Sequence, residues 1–406
     1  MYKYAKLSNN RSIEVEVMKK IICIFFMMIF AVCFCGFSNS FLVANAAGKQ
    51  HKFDDLNISS KSAFLIDYNS GTVIFEKNAN DKLPVASMTK LASLAVVFDA
   101  IEKGAIKLTD MVCVSKNAAN IGGSSAFLDA GSSYKVEDLI KTIVIASAND
   151  SCVALAEFVS GSEELFVLQM NKIAKKLNLR NTNFENCTGL PSENHYSSAY
   201  DMAQIYKLVC DNEVYKKFSK IWMEDFVHPS GRKTELVNTN RLIKTYDGID
   251  SGKTGYTDSA KFCLTASATR STLKLIGVVI GTESSKLRFE EMRKLFDYGF
   301  ANYKNEELVN SKIPVTIIRP KFAINESEIY PKHSISKLLK KSDLSKFSTD
   351  FEIYDFNAPK SAGDIVGKMF VFDENNMVVD EVELVLKQDI DAIDFGYNLK
   401  NIFNIW

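Results

Sequence analysis

The stretch Leu83-Pro84-Val85-Ala86-Ser87-Met88-Thr89-Lys90-Leu91 decides how this chain is read. Beyond it Leu91, Leu94, Ala95, Val97, Phe98 and Ile101 recur at helical spacing, which predicts a buried helix ending near Gly104. Ser87 and Lys90 stand three apart, on one helical face, so the amine can reach the hydroxyl. A serine hydroxyl needs a base to become a useful nucleophile. A lysine serves only if desolvation and nearby positive charge lower its pKa. The start of a helix adds a partial positive charge that favours a developing oxyanion. Alone, S-x-x-K is a weak signal, since a capping serine followed by a chance lysine gives the same letters.

Two further short motifs follow in order. Ser147-Ala148-Asn149 comes after the apolar stretch Leu139–Ile145, where a polar turn between helices would look the same. Lys253-Thr254-Gly255 precedes an apolar strand at Phe262 and would otherwise be a basic β-turn. A Gly-flanked Lys-Thr at a strand edge presents a cation and a hydroxyl to a carboxylate, and glycine permits close backbone approach.

Around these motifs, Ala63–Phe75 reads as a hairpin turning at Asn69-Ser70-Gly71. Helices are expected over Val136–Ser160, Glu163–Leu177, Asp201–Cys210 and about Leu287–Tyr303, with strands at Phe262–Ala268 and Leu273–Gly281. Strands thus open and close a first unit around a helical middle, as in a sheet covered by helices. From about Ser311 the texture changes to short alternating segments at 315–318, 351–354, 367–372 and 378–386. These predict a small all-β domain.

Composition narrows the chemistry. The chain has 406 residues, with 49 basic and 49 acidic side chains, which is long enough for two domains and excludes a nucleic-acid binder held by a broad basic face. Lys19-Lys20, an apolar run from Ile21 to Phe37 and the small-residue site ending at Ala46 read as a signal peptide. The expected layout is therefore an extension and signal over 1–46, a catalytic domain over 55–305, a β-domain over 312–388 and a terminal helix over 390–406. Export would leave Cys113, Cys152, Cys187, Cys210 and Cys263, an odd and widely spaced set that indicates neither a disulfide framework nor a zinc site. Four histidines without a close pair speak against a zinc hydrolase, so any hydrolytic chemistry must come from other side chains.

Together, S-x-x-K, S-x-N and K-T-G in that order form the motif set of penicillin-binding proteins and related β-lactamases. The chain resembles the serine-type D-alanyl-D-alanine carboxypeptidases among the low-molecular-mass penicillin-binding proteins, peptidase family S11, including the sporulation-associated enzymes of Gram-positive bacteria. The likeness extends over Thr188-Gly189-Leu190-Pro191, His195–Ala203, Asn238–Leu242, Gly252–Asp258, Leu275–Gly281 and, in the β-domain, Ala358–Gly367. Two departures, Ala148 where the family often has glycine and Ser251-Gly252 before Lys253, remove no functional group.

The resemblance implies an α/β (α+β) serine β-lactamase/penicillin-binding transpeptidase-like domain with a helical subdomain, followed by the small all-β domain. It implies Ser87 as nucleophile and Lys90 as its base, with Ser147 relaying a proton to the leaving amine and no metal or organic cofactor. Asn149, Lys253, Thr254, Gly255 and Tyr256 would bind substrate, with the backbone N–H groups of Ser87 and Tyr256 as the oxyanion hole. The implied substrates are peptidoglycan stem peptides ending in D-Ala-D-Ala, and β-lactams would acylate the same serine.

A class A β-lactamase would also need a glutamate in an E-x-x-L-N context, which is missing between Asn149 and Lys253. A non-hydrolytic β-lactam sensor would keep Ser87 and Lys90. At the other end, Phe395, Leu399, Ile402, Phe403 and Trp406 fall in one helical sector. That predicts an amphipathic helix lying in the outer face of the cytoplasmic membrane, with Trp406 at headgroup depth. Asp391, Asp394 and a single lysine weaken its attraction to anionic lipid, and a helix docked on the β-domain is the alternative.

Overall fold

A computed structural model describes residues 56–393. The expected signal segment and nearly all of the expected C-terminal helix lie outside the described residues. Strands β1 (Ser62–Asp67) and β2 (Val73–Lys77) form the expected hairpin, and a 3-10 turn over Ala86–Thr89 leads into α1 (Lys90–Glu102). Every residue from Lys90 to Phe98 is buried, so α1 is a core helix without a solvent face over its first turns. A small hairpin, β3 (Met111–Cys113) with β4 (Ser133–Lys135), precedes α2 (Val136–Ala146), α3 (Asn149–Ser160) and α4 (Glu163–Lys176). Helix α5 (Ala199–Lys207) and the hairpin β5 (Met223–Val227) with β6 (Lys233–Val237) complete the helical middle.

The chain then returns to the sheet as β7 (Ile249–Thr257), β8 (Lys261–Arg270) and β9 (Leu273–Thr282), followed by α6 (Ser285–Asn302). The five strands run in the order β2-β1-β9-β8-β7, each antiparallel to its neighbour. β1 and β9 are buried along nearly their whole length because helices, α5 and α6 among them, pack against the sheet. β7 is left as an edge.

One expectation needs revision here. The helical stretch Val136–Ser160 is broken: Ser147 takes a left-handed conformation (φ 64°) and Ala148 is extended, so α2 ends and α3 begins anew at Asn149. An apolar periodicity that continues across the break hides it. Lys253-Thr254-Gly255 lies inside edge strand β7, as the strand-edge reading expects, and not in the alternative β-turn.

Past α6, strand β10 (Tyr303–Val309) begins where the helix ends. β11 (Thr316–Ile318), β12 (Ser327–Pro331), β13 (Ile335–Lys340), β14 (Ser348–Ile353), β15 (Ile365–Phe372) and β16 (Val378–Leu386) follow. An antiparallel sheet runs β11-β12-β16-β15-β14, and β10 pairs with β13. Ala323, Ile329, Val366, Leu384, Leu386 and Ile390 are buried together as a small separate core. β10, β12 and β13 escape the sequence reading because YKNEELV and ISKLLK carry charges that mask the alternation, and SEIYP ends in proline. Ile390 and Ala392 form β-bridges to Lys360 and Ala323, so the expected terminal helix does not start at 390.

Candidate active site

The 3-10 turn at the head of α1 presents Ser87, half-buried, while Met88, Thr89 and Lys90 go into the core. Ala86, directly before the serine, has φ 47°, a strained conformation for a residue with a Cβ. Lys90 is fully buried, and its Nζ donates to Ser87 Oγ at 3.0 Å and to the carbonyl of Thr188 at 2.8 Å. Burial is the main force on the amine and lowers its pKa from 10.5 to about 8, against the opposing pull of Cys152, Cys187 and Asp150. A neutral lysine beside a serine hydroxyl is what general-base activation needs.

The Thr188 carbonyl is itself held. Asn186 Oδ1 accepts from Thr188 N, Thr188 Oγ1 and Gly189 N, at 3.2, 3.1 and 2.7 Å. Gly189 has φ 83°, and a Cβ there would lie 2.0 Å from the Ala86 carbonyl oxygen. Only glycine lets this loop close on the Ser87 turn.

Ser147, aimed by its left-handed backbone, accepts from Lys253 Nζ at 2.7 Å. Lys253 is buried and also donates to the Thr254 carbonyl at 2.9 Å. Its pKa is well below the usual lysine value, first through burial and then through the cations of Lys90 and Arg288. Two amines sharing one dry site cannot comfortably both hold a proton. Asn149 donates its Nδ2 to Gly122 O at 2.6 Å, while its Oδ1 is buried without a hydrogen-bond partner. A buried amide oxygen left open in this way is an acceptor waiting for a donor. Next to it Asp150 takes Ser125 Oγ, Ala126 N and Leu128 N, pinning the loop that Asn149 touches.

On β7, Thr254 donates its Oγ1 to Thr239 Oγ1 at 2.8 Å, giving two hydroxyls beside the Lys253 amine. A Cβ on Gly255 would stand 2.6 Å from Val85 O and 3.2 Å from Met88 N, so glycine allows β7 to lie against the Ser87 turn. Tyr256 is exposed, its ring tilted by 32° against Phe262 at 4.4 Å between centroids and its hydroxyl bonded to Asp258. Arg288 of α6 reaches under the strand and donates to the carbonyls of Gly255 and Cys263 at 3.2 and 3.3 Å.

The site so assembled joins Ser87, Lys90, Ser147, Asn149, Lys253, Thr254 and Gly255, drawn from the turn, the α2–α3 break and the edge strand. The model of the family described as D-alanyl-D-alanine carboxypeptidase matches residues 47–284. The chain belongs to this family. It is a serine-type D-alanyl-D-alanine carboxypeptidase of family S11, with the penicillin-binding protein/β-lactamase-like fold. A second model, for the penicillin-binding protein 5 C-terminal domain, matches residues 321–392. D-alanyl-D-alanine carboxypeptidase DacF of Bacillus subtilis is 40% identical over 355 residues, covering 87% of this chain and 91% of that one. DacC of Escherichia coli is 32% identical over 349 residues, covering 84% and 86%. Among solved structures, penicillin-binding protein 5 from Haemophilus influenzae superposes with TM-score 0.65 at 31% identity, covering 82% of this chain and 98% of its own.

In this carboxypeptidase the sequence motifs supply the groups that face the cleft, and several supporting residues had gone unassigned. Thr188, Asn186 and Thr239 lie in or beside stretches that resemble the family but announce no chemistry by themselves. Asp150 and Arg288 give a sequence signal only in hindsight, as an acid directly after S-x-N and a cation on a helix facing the sheet. His195 is buried and supports the turn: it accepts from Glu185 N through Nδ1, which leaves Nε2–H to donate to Thr89 Oγ1 at 2.8 Å. Burial lowers its pKa to about 4, so it is neutral at physiological pH.

Proposed function

We propose that this carboxypeptidase removes the terminal D-alanine from peptidoglycan stem peptides through an acyl-enzyme on Ser87. The observation that carries the reading is the pair of buried amine–hydroxyl contacts, Lys90 on Ser87 and Lys253 on Ser147, in one cleft. Neutral Lys90 takes the Ser87 proton as Oγ attacks the carbonyl between the two D-alanines. The N–H groups of Ser87 and Tyr256 receive the oxyanion. Ser147 passes a proton to the departing amine, the C–N bond breaks and D-alanine leaves. Lys90 returns to Ser147 the proton it took from Ser87 and is neutral again. Water then attacks the ester and gives its proton to Lys90, which passes it to Ser87 Oγ as the ester bond breaks.

The substrate carboxylate binds at Lys253 and Thr254, where its charge holds the Lys253 amine protonated. Asn149 Oδ1 accepts a backbone N–H of the peptide. β-Lactams enter by the same attack and leave Ser87 acylated.

The division into catalytic and β-domains, export directed by residues 1–46, and attachment to the outer face of the cytoplasmic membrane by the C-terminal segment belong to the same proposal. Among the described residues no helix is long and apolar enough to cross a membrane.

Purified protein and defined stem peptides test the function. D-alanine release identifies the carboxypeptidase, fast penicillin turnover a β-lactamase, and stable acylation without peptide cleavage a sensor. Deleting Asp394–Trp406 should move the protein from the membrane to the soluble fraction with peptide hydrolysis unchanged; a truncated protein that stays on the membrane refutes the anchor.

A further inference from the structure

The carbonyl of Cys187, the residue directly before Thr188, is an acceptor at which two helices of the site meet. Ser93 Oγ, one turn beyond Lys90 on α1, donates to it at 2.6 Å. Cys152 Sγ, one turn beyond Asn149 on α3, donates to it at 3.2 Å. Ser93, Cys152 and Cys187 are all buried, so neither contact competes with solvent. Cys187 N in turn donates to Glu163 Oε1 at 2.9 Å, which ties in the start of α4.

A carbonyl oxygen has two lone pairs and takes both donors at once. Ser93 Oγ also lies 3.6 Å from Met170 Sδ, but a thioether is the weaker acceptor, and the short contact to the carbonyl takes the proton. A thiol is a weak donor, so the hydroxyl carries the larger share of the brace. The reaction proposed above moves no proton through Ser93 or Cys152, and neither is part of the cleft chemistry.

Resting on Lys90 as the base in the function proposed above, we infer that Ser93 and Cys152 are positioning residues that aim Lys90 at Ser87 through the Cys187–Thr188 peptide. That peptide unit is planar, so fixing the Cys187 oxygen fixes the plane from which Thr188 continues. The Thr188 carbonyl, one residue on, accepts from Lys90 Nζ at 2.8 Å while the same amine donates to Ser87 Oγ at 3.0 Å. Asn186 holds Thr188 through its N–H, and Ser93 and Cys152 hold the carbonyl on the other side of the same peptide bond. The brace also links Lys90 to Asn149, because each donor stands three residues after one of them. A displacement of about 1 Å in a base so placed costs up to about 100-fold in rate.

The test measures kcat and KM for D-alanine release, and the rate of acylation by a fluorescent penicillin, well below the melting temperature of each variant. Ser93→Ala should lower kcat roughly tenfold and Cys152→Ala roughly threefold, each with KM within about twofold of wild type, because Lys90 serves acylation and deacylation without binding substrate. The double variant should lose at least about threefold more than the product of the two, since each single variant leaves one donor on the shared oxygen. Ser93→Cys keeps a weak donor and should fall between wild type and Ser93→Ala, and Cys152→Ser should keep the full rate. Cys210→Ala, which removes a buried thiol whose contact is the Lys207 carbonyl of α5, should leave kcat unchanged.

Wild-type kcat in both alanine variants, a loss that falls on KM alone, equal losses in Ser93→Ala and Ser93→Cys, or a comparable loss in Cys210→Ala overturns the assignment. If Ser93→Ala does not fold, Cys152→Ala against Cys152→Ser carries the same comparison, and equal rates in those two refute the brace. Failure of the wild-type protein to release D-alanine refutes the carboxypeptidase reading instead. In that case the penicillin acylation rates still read the brace, with the same order of variants as the expected result and equal rates as the refuting one.

Discussion

Acylation should follow the protonation state of Lys90, and the structure sets the size of the effect. Only the neutral amine can take the Ser87 proton. With a pKa of about 8, roughly 9% of the sites are neutral at pH 7, about half at pH 8 and about 90% at pH 9. At an ordinary value of 10.5 the fraction at pH 7 would be roughly one in 3000, so burial makes the base about 300-fold more available. The second-order rate of acylation by a fluorescent penicillin should therefore climb about tenfold from pH 6 to 7 and about tenfold more to a plateau near pH 9.

The same burial predicts a stability effect. Because the folded pKa lies below the unfolded one, the unfolded chain binds the extra proton between pH 8 and 10.5. Stability therefore rises with pH through that window, and the cost of the buried amine, about 3 kcal/mol, is fully present below pH 8. Lys90→Met removes that cost and leaves the Thr188 carbonyl without its lysine donor, worth about 1–3 kcal/mol. The inactive variant should melt no lower than wild type at pH 7. An acylation rate that is flat between pH 6 and 9 would refute the assignment of Lys90 as base.

Three further substitutions probe the frame. Ser87→Ala should abolish D-alanine release and penicillin labelling with an unchanged melting temperature, since it removes one half-buried hydroxyl; labelling at the wild-type rate excludes Ser87 as nucleophile. Gly255→Ala puts a methyl group 2.6 Å from Val85 O and should cost about 1–3 kcal/mol in thermal stability while pushing β7 off the turn, so acylation should fall by at least an order of magnitude; an unaffected rate would show that the close approach is dispensable. Arg288→Met removes the donors to Gly255 O and Cys263 O and should lower kcat/KM for D-alanine release by roughly tenfold, with Arg288→Lys intermediate because it keeps the charge but loses the fork; equal loss in both variants would point to packing instead.

The chemistry of this protein was legible in the sequence because it is written in short local motifs. Three residues apart on a helical turn, Ser87 and Lys90 are close whatever the rest of the chain does, and the apolar run after them makes their helix buried. The hairpin at Ala63–Phe75, the strands after Phe262 and the change of texture near Ser311 were likewise set by alternation and turn residues. Tertiary structure decided what local patterns cannot encode. Ser147 reaches Lys253, 106 positions away, only because α2 breaks in a left-handed residue and β7 forms the sheet edge beside that break. The depressed pKa of Lys90 is a property of burial, and burial is the sum of α1, the Thr188 loop and the sheet closing over one amine. The bracing of Thr188 by Asn186, of β7 by Arg288 and of the Ser125 loop by Asp150 joins polar side chains whose types are common everywhere. Their meaning arises from the partners that folding brings to them, and a one-dimensional pattern contains no record of those partners.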